Sequence, residues 1–349
     1  MQTPNYTPPW FLPNGFLMTL YIALQAGKSW RENTLEPEPP YKEKLFTGAG
    51  GVPIFGIYAV PENPKGTIIA TYGIVGDLDN QWFLRILGRK AFARGYAVLL
   101  FDWRAHGKTA KLSPALTSDG LYEGKDFVYL ASESVALGCP APFWFSGLSL
   151  GGQLALWGMK EAQSADNWET DLAVKASDFA GGMVVCPSLD SNRSLTYLED
   201  DLLGKQLEQA IARRLKELAR ELQKAHPQAF DPEAIERTHS IRSFDKELVI
   251  EKLGFDTVEA YYEASSGLQI LPQLQKPTLI LYAKDDPLFT PEIIPDLEAV
   301  GRDNEAIDLW LTESGGHVGY ISSESCQKEW GDRDPWWAWN RILEWCDRH

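Results

Sequence analysis

Gly147-Leu148-Ser149-Leu150-Gly151-Gly152 is the segment of this chain that reads most clearly as chemistry. A serine hydroxyl is a poor nucleophile until a base removes its proton, so the segment matters only if a base can reach it. Phe143-Trp144-Phe145 before it reads as a strand, and Leu150 onward reads as a helix. Glycines on both sides of Ser149 let the chain turn sharply, which would expose the hydroxyl at the strand's C-terminal end. A plain strand-to-helix turn rich in small residues has the same letters. The partners must decide.

The chain holds five histidines: His106, His226, His239, His317 and His349. His226 and His239 fall in a long helical stretch, and His349 is terminal. His317 follows Gly315-Gly316, just past the strand candidate Ile307–Leu311, where a loop can swing an imidazole over a sheet edge. His106, in Asp102-Trp103-Arg104-Ala105-His106-Gly107, also follows a strand end. It precedes Ser149, however, whereas this strand–turn–serine–helix arrangement places its base last. His317 is therefore the expected base and His106 a residue that shapes the site.

A third group must orient that imidazole and stabilise its charged form. Asp285-Asp286-Pro287 follows the strand candidate Thr278–Ala283 directly. The order Ser149, Asp286, His317 is then nucleophile, acid, base. Asp285 competes with Asp286, because one position decides which carboxylate turns inward. The oxyanion needs N–H donors: one expected from Leu150, the other from the loop Tyr72-Gly73-Ile74-Val75-Gly76, where Ile74 is favoured.

These residues need a scaffold that brings strand ends together. Strand candidates are Val52–Val60, Thr67–Tyr72, Tyr96–Asp102, Pro142–Phe145, Gly182–Cys186, Thr278–Ala283 and Ile307–Leu311. Helical stretches alternate with them, including Gln81–Arg94, Glu123–Leu137 and Leu150–Lys160. Continuous apolar runs such as Ala97-Val98-Leu99-Leu100-Phe101 suit a sheet covered on both faces. The pattern implies an α/β fold with a mostly parallel, doubly wound sheet. Residues 1–40 read as an N-terminal arm ending in Glu36-Pro37-Glu38-Pro39-Pro40, and 41–187 as the first part of the core. Residues 188–271 lack a good strand and read as an inserted helical lid, with 272–349 completing the core. In the insertion, Leu203, Leu207, Ile211, Leu215, Leu218 and Leu222 recur at spacings of three or four and mark one helix face.

Composition removes other classes. Lys and Arg total 33 against 48 Asp and Glu, a net charge of −15. Such a chain repels phosphate backbones, so no nucleic-acid partner is expected. Four scattered cysteines form no C-x-x-C pair, and no H-E-x-x-H occurs, so neither metal nor other cofactor is expected. Gly107-Lys108-Thr109 resembles the end of a P-loop, but Asp102 occupies the position of its first glycine. The apolar segment Phe16 to Ala26 is too short to span a bilayer. A cytoplasmic protein with no transmembrane segment is expected. Peripheral membrane contact stays open for the cluster Trp330, Trp336, Trp337, Trp339 and Trp345, which reads first as a helix packed on the sheet.

With these residues assembled, the chain resembles the YheT-like α/β-hydrolases, also called hydrolase family 4 or embryogenesis-associated-protein-like, nearly end to end. Pro8-Pro9-Trp10, Asn14-Gly15 and Thr19 are similar to that family's arm. Gly73-Ile74-Val75-Gly76 resembles its oxyanion loop, and Gly147 to Gly152 its nucleophile elbow. Phe244-Asp245, Gly254-Phe255 and Tyr261 to Ser266 resemble its return from lid to core. Asp285-Asp286-Pro287 and Gly315-Gly316-His317 resemble its acid and base motifs, and this likeness implies Asp286 as the acid. Tyr72 departs from the usual Pro or His, and Ala105-His106-Gly107 from a more glycine-rich loop. The resemblance implies an α/β-hydrolase fold and cofactor-free hydrolysis of carboxylic esters, with small esters or acyl lipids as substrates. The apolar insertion adds an expectation of apolar acyl chains. An acyltransferase using the same triad and a non-catalytic binding scaffold are the alternatives.

Overall fold

A computed structural model describes residues 4–349. Eight strands form one sheet: β1 (Lys42–Thr47), β2 (Pro53–Ala59), β3 (Thr67–Thr71), β4 (Ala97–Phe101), β5 (Phe143–Leu148), β6 (Phe179–Val185), β7 (Thr278–Ala283) and β8 (Ile307–Thr312). Their spatial order is β1-β2-β4-β3-β5-β6-β7-β8. β2 runs antiparallel to both β1 and β4, and every other pairing is parallel. The buried runs of β3, β4, β5 and β7 need cover on both faces, which the crossover helices supply.

The helices that matter below are α1 (Gly15–Tyr21), α2 (Trp82–Ala93), α3 (Glu123–Val135), α4 (Leu150–Ala162), α5 (Ser191–Asp200), α6 (Leu202–Ala225), α7 (Val258–Ser265) and α8 (Trp337–Cys346). α3 packs on α4, and α2 packs on α8. Of the five C-terminal tryptophans, Trp336, Trp337, Trp339 and Trp345 are buried in the core, and Trp330 is half-buried against it. No helix among the described residues is long and apolar enough to cross a membrane.

β1 has no counterpart among the seven strands expected from sequence. It is an edge strand bonded only to β2, and its Lys42, Glu43 and Lys44 leave Phe46 as its one buried side chain. Charges on an edge discourage pairing with other chains, and they also mask the alternation that marks a strand.

Between β6 and β7 the chain is helical, and its helices carry a second apolar cluster that includes Leu195 and Leu198 of α5, Leu215 and Leu222 of α6, Tyr261 of α7, and Phe244 from the short helix Ile241–Phe244. Asp201 caps α6 by accepting from Leu203 N and Gly204 N at 2.9 and 3.0 Å. The leucine stripe of α6 is only partly inward. Leu215 and Leu222 are buried, Ile211 and Leu218 half-buried, and Leu203 is 51% exposed. The buried face also takes in Glu208, whose carboxylate accepts from Ile241 N at 2.5 Å and so holds the start of the neighbouring helix.

Candidate active site

Parallel pairing in register brings the C-terminal ends of the strands to one edge: Thr71 lies opposite Gly147, Leu148 opposite Val185, and Ala283 opposite Thr312. Ser149 follows β5 and precedes α4 with φ 56° and ψ −129°. An L-residue seldom adopts that region, and the contacts around it explain why it does so here. A Cβ on Gly147 would fall 1.9 Å from the Gly151 carbonyl oxygen, and one on Gly151 would fall 2.3 Å from that of Tyr72. Only glycines allow strand, turn and helix to close this tightly.

Ser149 Oγ lies 2.8 Å from His317 Nε2, and His317 Nδ1 lies 2.8 Å from Asp286 Oδ2. In the tautomer this network selects, Nδ1–H donates to the carboxylate and Nε2 accepts from the hydroxyl. Asp286 is buried, and its other oxygen accepts from Leu288 N at 2.9 Å, which fixes the carboxylate plane. Asp285 turns the other way. Its Oδ1 accepts from Gly316 N at 2.9 Å, so it braces the histidine loop from outside the line of three.

The arm is part of that brace. Thr19 Oγ1 accepts from His317 N at 2.8 Å and donates to Gly15 O at 2.7 Å. Gly15 itself sits so close that a Cβ there would lie 1.8 Å from the Asp285 carbonyl oxygen. These residues are about 300 positions apart in the chain, and no sequence spacing reports such a contact.

Ile74 and Leu150 line the cleft beside Ser149. Leu150 is the first residue of α4, where the backbone N–H has no partner inside the helix. The loop carrying Ile74 lies against the serine, since a Cβ on Gly73 would meet Ser149 Cβ at 2.9 Å. The next amide is occupied: Val75 N donates to His106 Nε2 at 3.0 Å. His106 Nδ1–H donates in turn to Arg104 O at 2.9 Å, and the ring stacks on Trp103 at 3.6 Å. Burial pushes the His106 imidazole down to about 4, so it stands neutral as a fixed strut under the loop. His226, by contrast, bonds Ala110 O and lies apart from this line, as do His239 and His349.

The cleft opens in part to solvent. Leu195, Leu198, Ile211, Leu215 and Leu218 from α5 and α6 form one wall, and Leu288 and Phe289 form another. Phe289 meets the His317 ring edge to face at 5.1 Å. Leu288, Phe289, Asp119 and Ser194 also line the cleft without a site role read from the sequence, and so does Asp245, which the sequence marked only as part of the lid-to-core motif.

A serine, histidine and carboxylate joined by hydrogen bonds at the edge of a mostly parallel sheet have the geometry that a serine hydrolase requires. The chain belongs to the α/β hydrolase family, whose model matches residues 77–325. It is 51% identical over 99% of its length, and 95% of the relative's, to the Synechocystis protein named "Putative esterase slr0264". Over 30% of the chain, and 28% of the relative, it is 33% identical to the Escherichia coli protein named "Putative esterase YheT". Among solved structures, the Pyrococcus furiosus esterase Pf2001 superposes with a TM-score of 0.56 at 18% identity, over 91% of this chain and 92% of that one. That likeness is one of fold.

Proposed function

We propose that this chain hydrolyses carboxylic esters with apolar acyl chains through an acyl-enzyme on Ser149. The observation that carries the reading is the unbroken line from Ser149 Oγ through the His317 ring to Asp286, set at an apolar cleft. Ser149 Oγ attacks the ester carbonyl as His317 Nε2 takes its proton. Asp286 holds the tautomer that makes Nε2 the acceptor and stabilises the imidazolium that forms. The Leu150 and Ile74 amides receive the oxyanion. Because the donors stand in place before charge develops, little reorganisation is needed when it does. His317 then returns the proton to the leaving alcohol, and water repeats the sequence on the acyl-enzyme. Leucine and isoleucine side chains of α5 and α6 give the acyl chain a surface on which to leave water.

The test is intact mass after treatment with a fluorophosphonate. One adduct on the wild type and none on Ser149→Ala is expected. Equal labelling of both proteins, or none on folded wild type in mild detergent, would remove Ser149 as the nucleophile.

A further inference from the structure

The cleft is not apolar throughout. Asp119 and Asp245 line it and are only 7% and 5% exposed, and with them stand Tyr262 and Ser194. The turn that presents Asp119 is built for the purpose. Glu123 accepts from Ser118 N at 2.9 Å and Gly120 N at 3.1 Å, and Asp119 between them is held at φ 49°. Asp119 Oδ1 accepts from Thr117 Oγ1 at 3.1 Å, and Asp245 Oδ2 accepts from the Tyr262 hydroxyl at 2.5 Å. The Arg242 guanidinium, whose charge favours the Asp245 carboxylate, donates its own hydrogen bonds to Asn192 Oδ1, Asn192 O and Thr196 Oγ1.

Ser194 points independently to a ligand. It is 4% exposed and lines the cleft, and its hydroxyl has no partner. Its helix, α5, packs on α7, which carries Tyr262. A buried hydroxyl left unpaired costs about 1–3 kcal/mol, a cost that a bound polar group would lift.

We propose that Asp119, Asp245 and Ser194 form a subsite for an uncharged, hydroxyl-bearing alcohol portion of the substrate, such as a glyceryl group. The assignment rests on the ester-hydrolase reading, with the acyl chain on the leucine wall and the alcohol at the polar end. Burial pushes both carboxyls up, Asp119 to about 7 with help from the Glu123 charge, and Asp245 well above the usual carboxylate range with help from the Asp119 charge. Near neutral pH such a pair holds protons as well as lone pairs. It therefore offers donors and acceptors together, which is what a hydroxyl group needs. Whatever negative charge remains repels a phosphate, so a phosphodiester head group fits poorly here.

The experiment compares kcat/KM at neutral pH for three esters of decanoic acid: ethyl, 1-glyceryl and choline. The wild type is expected to favour the glyceryl over the ethyl ester by about tenfold or more. Ser194→Ala and Asp245→Leu should each cut that ratio by about threefold or more, while Asp245→Asn, which keeps shape and hydrogen-bonding atoms, should largely retain it. If Asp245→Leu fails to fold, the smaller change Ser194→Ala still decides the matter. A wild-type ratio near one, or a ratio that neither variant moves, overturns the subsite while leaving ester hydrolysis standing. A choline preference that Asp245→Asn abolishes would reassign the subsite to cations and equally overturn the proposal. Turnover of none of the three esters would remove the ester-hydrolase reading itself, and the subsite with it.

Discussion

Acid should loosen the loop that carries Ile74 through His106, and the size of the effect follows from its surroundings. The ring is 1% exposed, donates from Nδ1 to Arg104 O and accepts at Nε2 from Val75 N. Protonation would set a second N–H against the Val75 N–H, with no acceptor between them. Burial holds the folded value at about 4, whereas a free imidazole titrates near 6.5. The gap of about 2.5 pH units corresponds to roughly 3 kcal/mol. The folded value is depressed, so this stability is fully present above about 6.5 and is lost as pH falls toward about 4. By pH ~4.5 some 2 kcal/mol should be gone. Asp102 acts in the opposite sense. Burial pushes it up to about 6, so its contribution is lost as pH rises through that value and grows on acidification. Wild-type stability alone therefore blurs the two. The clean quantity is the difference between wild type and His106→Gln in urea unfolding at pH ~7 and ~4.5, where Asp102 and the other carboxyls cancel. The wild-type advantage should shrink by about 2 kcal/mol on acidification. A difference that does not change with pH would refute the buried neutral strut.

Three further outcomes test the scaffold. Thr19→Val keeps the side-chain shape but removes the acceptor for His317 N; kcat for an ester should drop by about tenfold or more with KM little changed, and Thr19→Ser should restore it. A drop in KM-dependent binding alone would show that the arm does not position the histidine. Gly147→Ala places a methyl 1.9 Å from the Gly151 carbonyl oxygen, so the elbow must open; urea unfolding should register a loss of about 3 kcal/mol or more. On α6, Leu222→Ala should cost about 2–5 kcal/mol because Leu222 is fully buried. Leu203→Ala, at an exposed position, should fall within about 0.5 kcal/mol of wild type, and equal losses would contradict the inward face described here.

What the sequence made legible follows a physical rule. Core strands announced themselves because burial on both faces demands continuous apolar runs, as in Ala97 to Phe101. β1 did not, because Lys42, Glu43 and Lys44 meet an edge requirement that overrides its alternation. Ser149, Asp286 and His317 could be picked out because each follows a strand end and histidines are few. Spacing alone left Asp285 and Asp286 open and only the family resemblance pointed to Asp286, because two adjacent carboxylates that brace opposite sides of one loop look alike in sequence. Contacts such as Thr19 to His317, or the convergence of Asp119, Asp245 and Ser194, join residues whose local sequence reads only as arm, turn and helix. Their information lies in the packing of separate segments, which no periodicity in one segment encodes.

That packing also couples the cleft to the chemistry. The turn after β7 supplies Asp286 at its start and Leu288 and Phe289 two and three residues later, and Leu288 N itself holds the Asp286 carboxylate. Phe289 stands edge-on to the His317 ring. An apolar chain seated against Leu288 and Phe289 therefore presses on the same turn that orients the acid, and it covers the imidazole from water. Excluding water lowers the local dielectric, which strengthens the Asp286–imidazolium attraction as charge appears on the ring. Occupation of the apolar wall should thus raise the rate of the chemical step as well as affinity. On the proposed reading, this one short turn lets acyl-chain binding count toward catalysis.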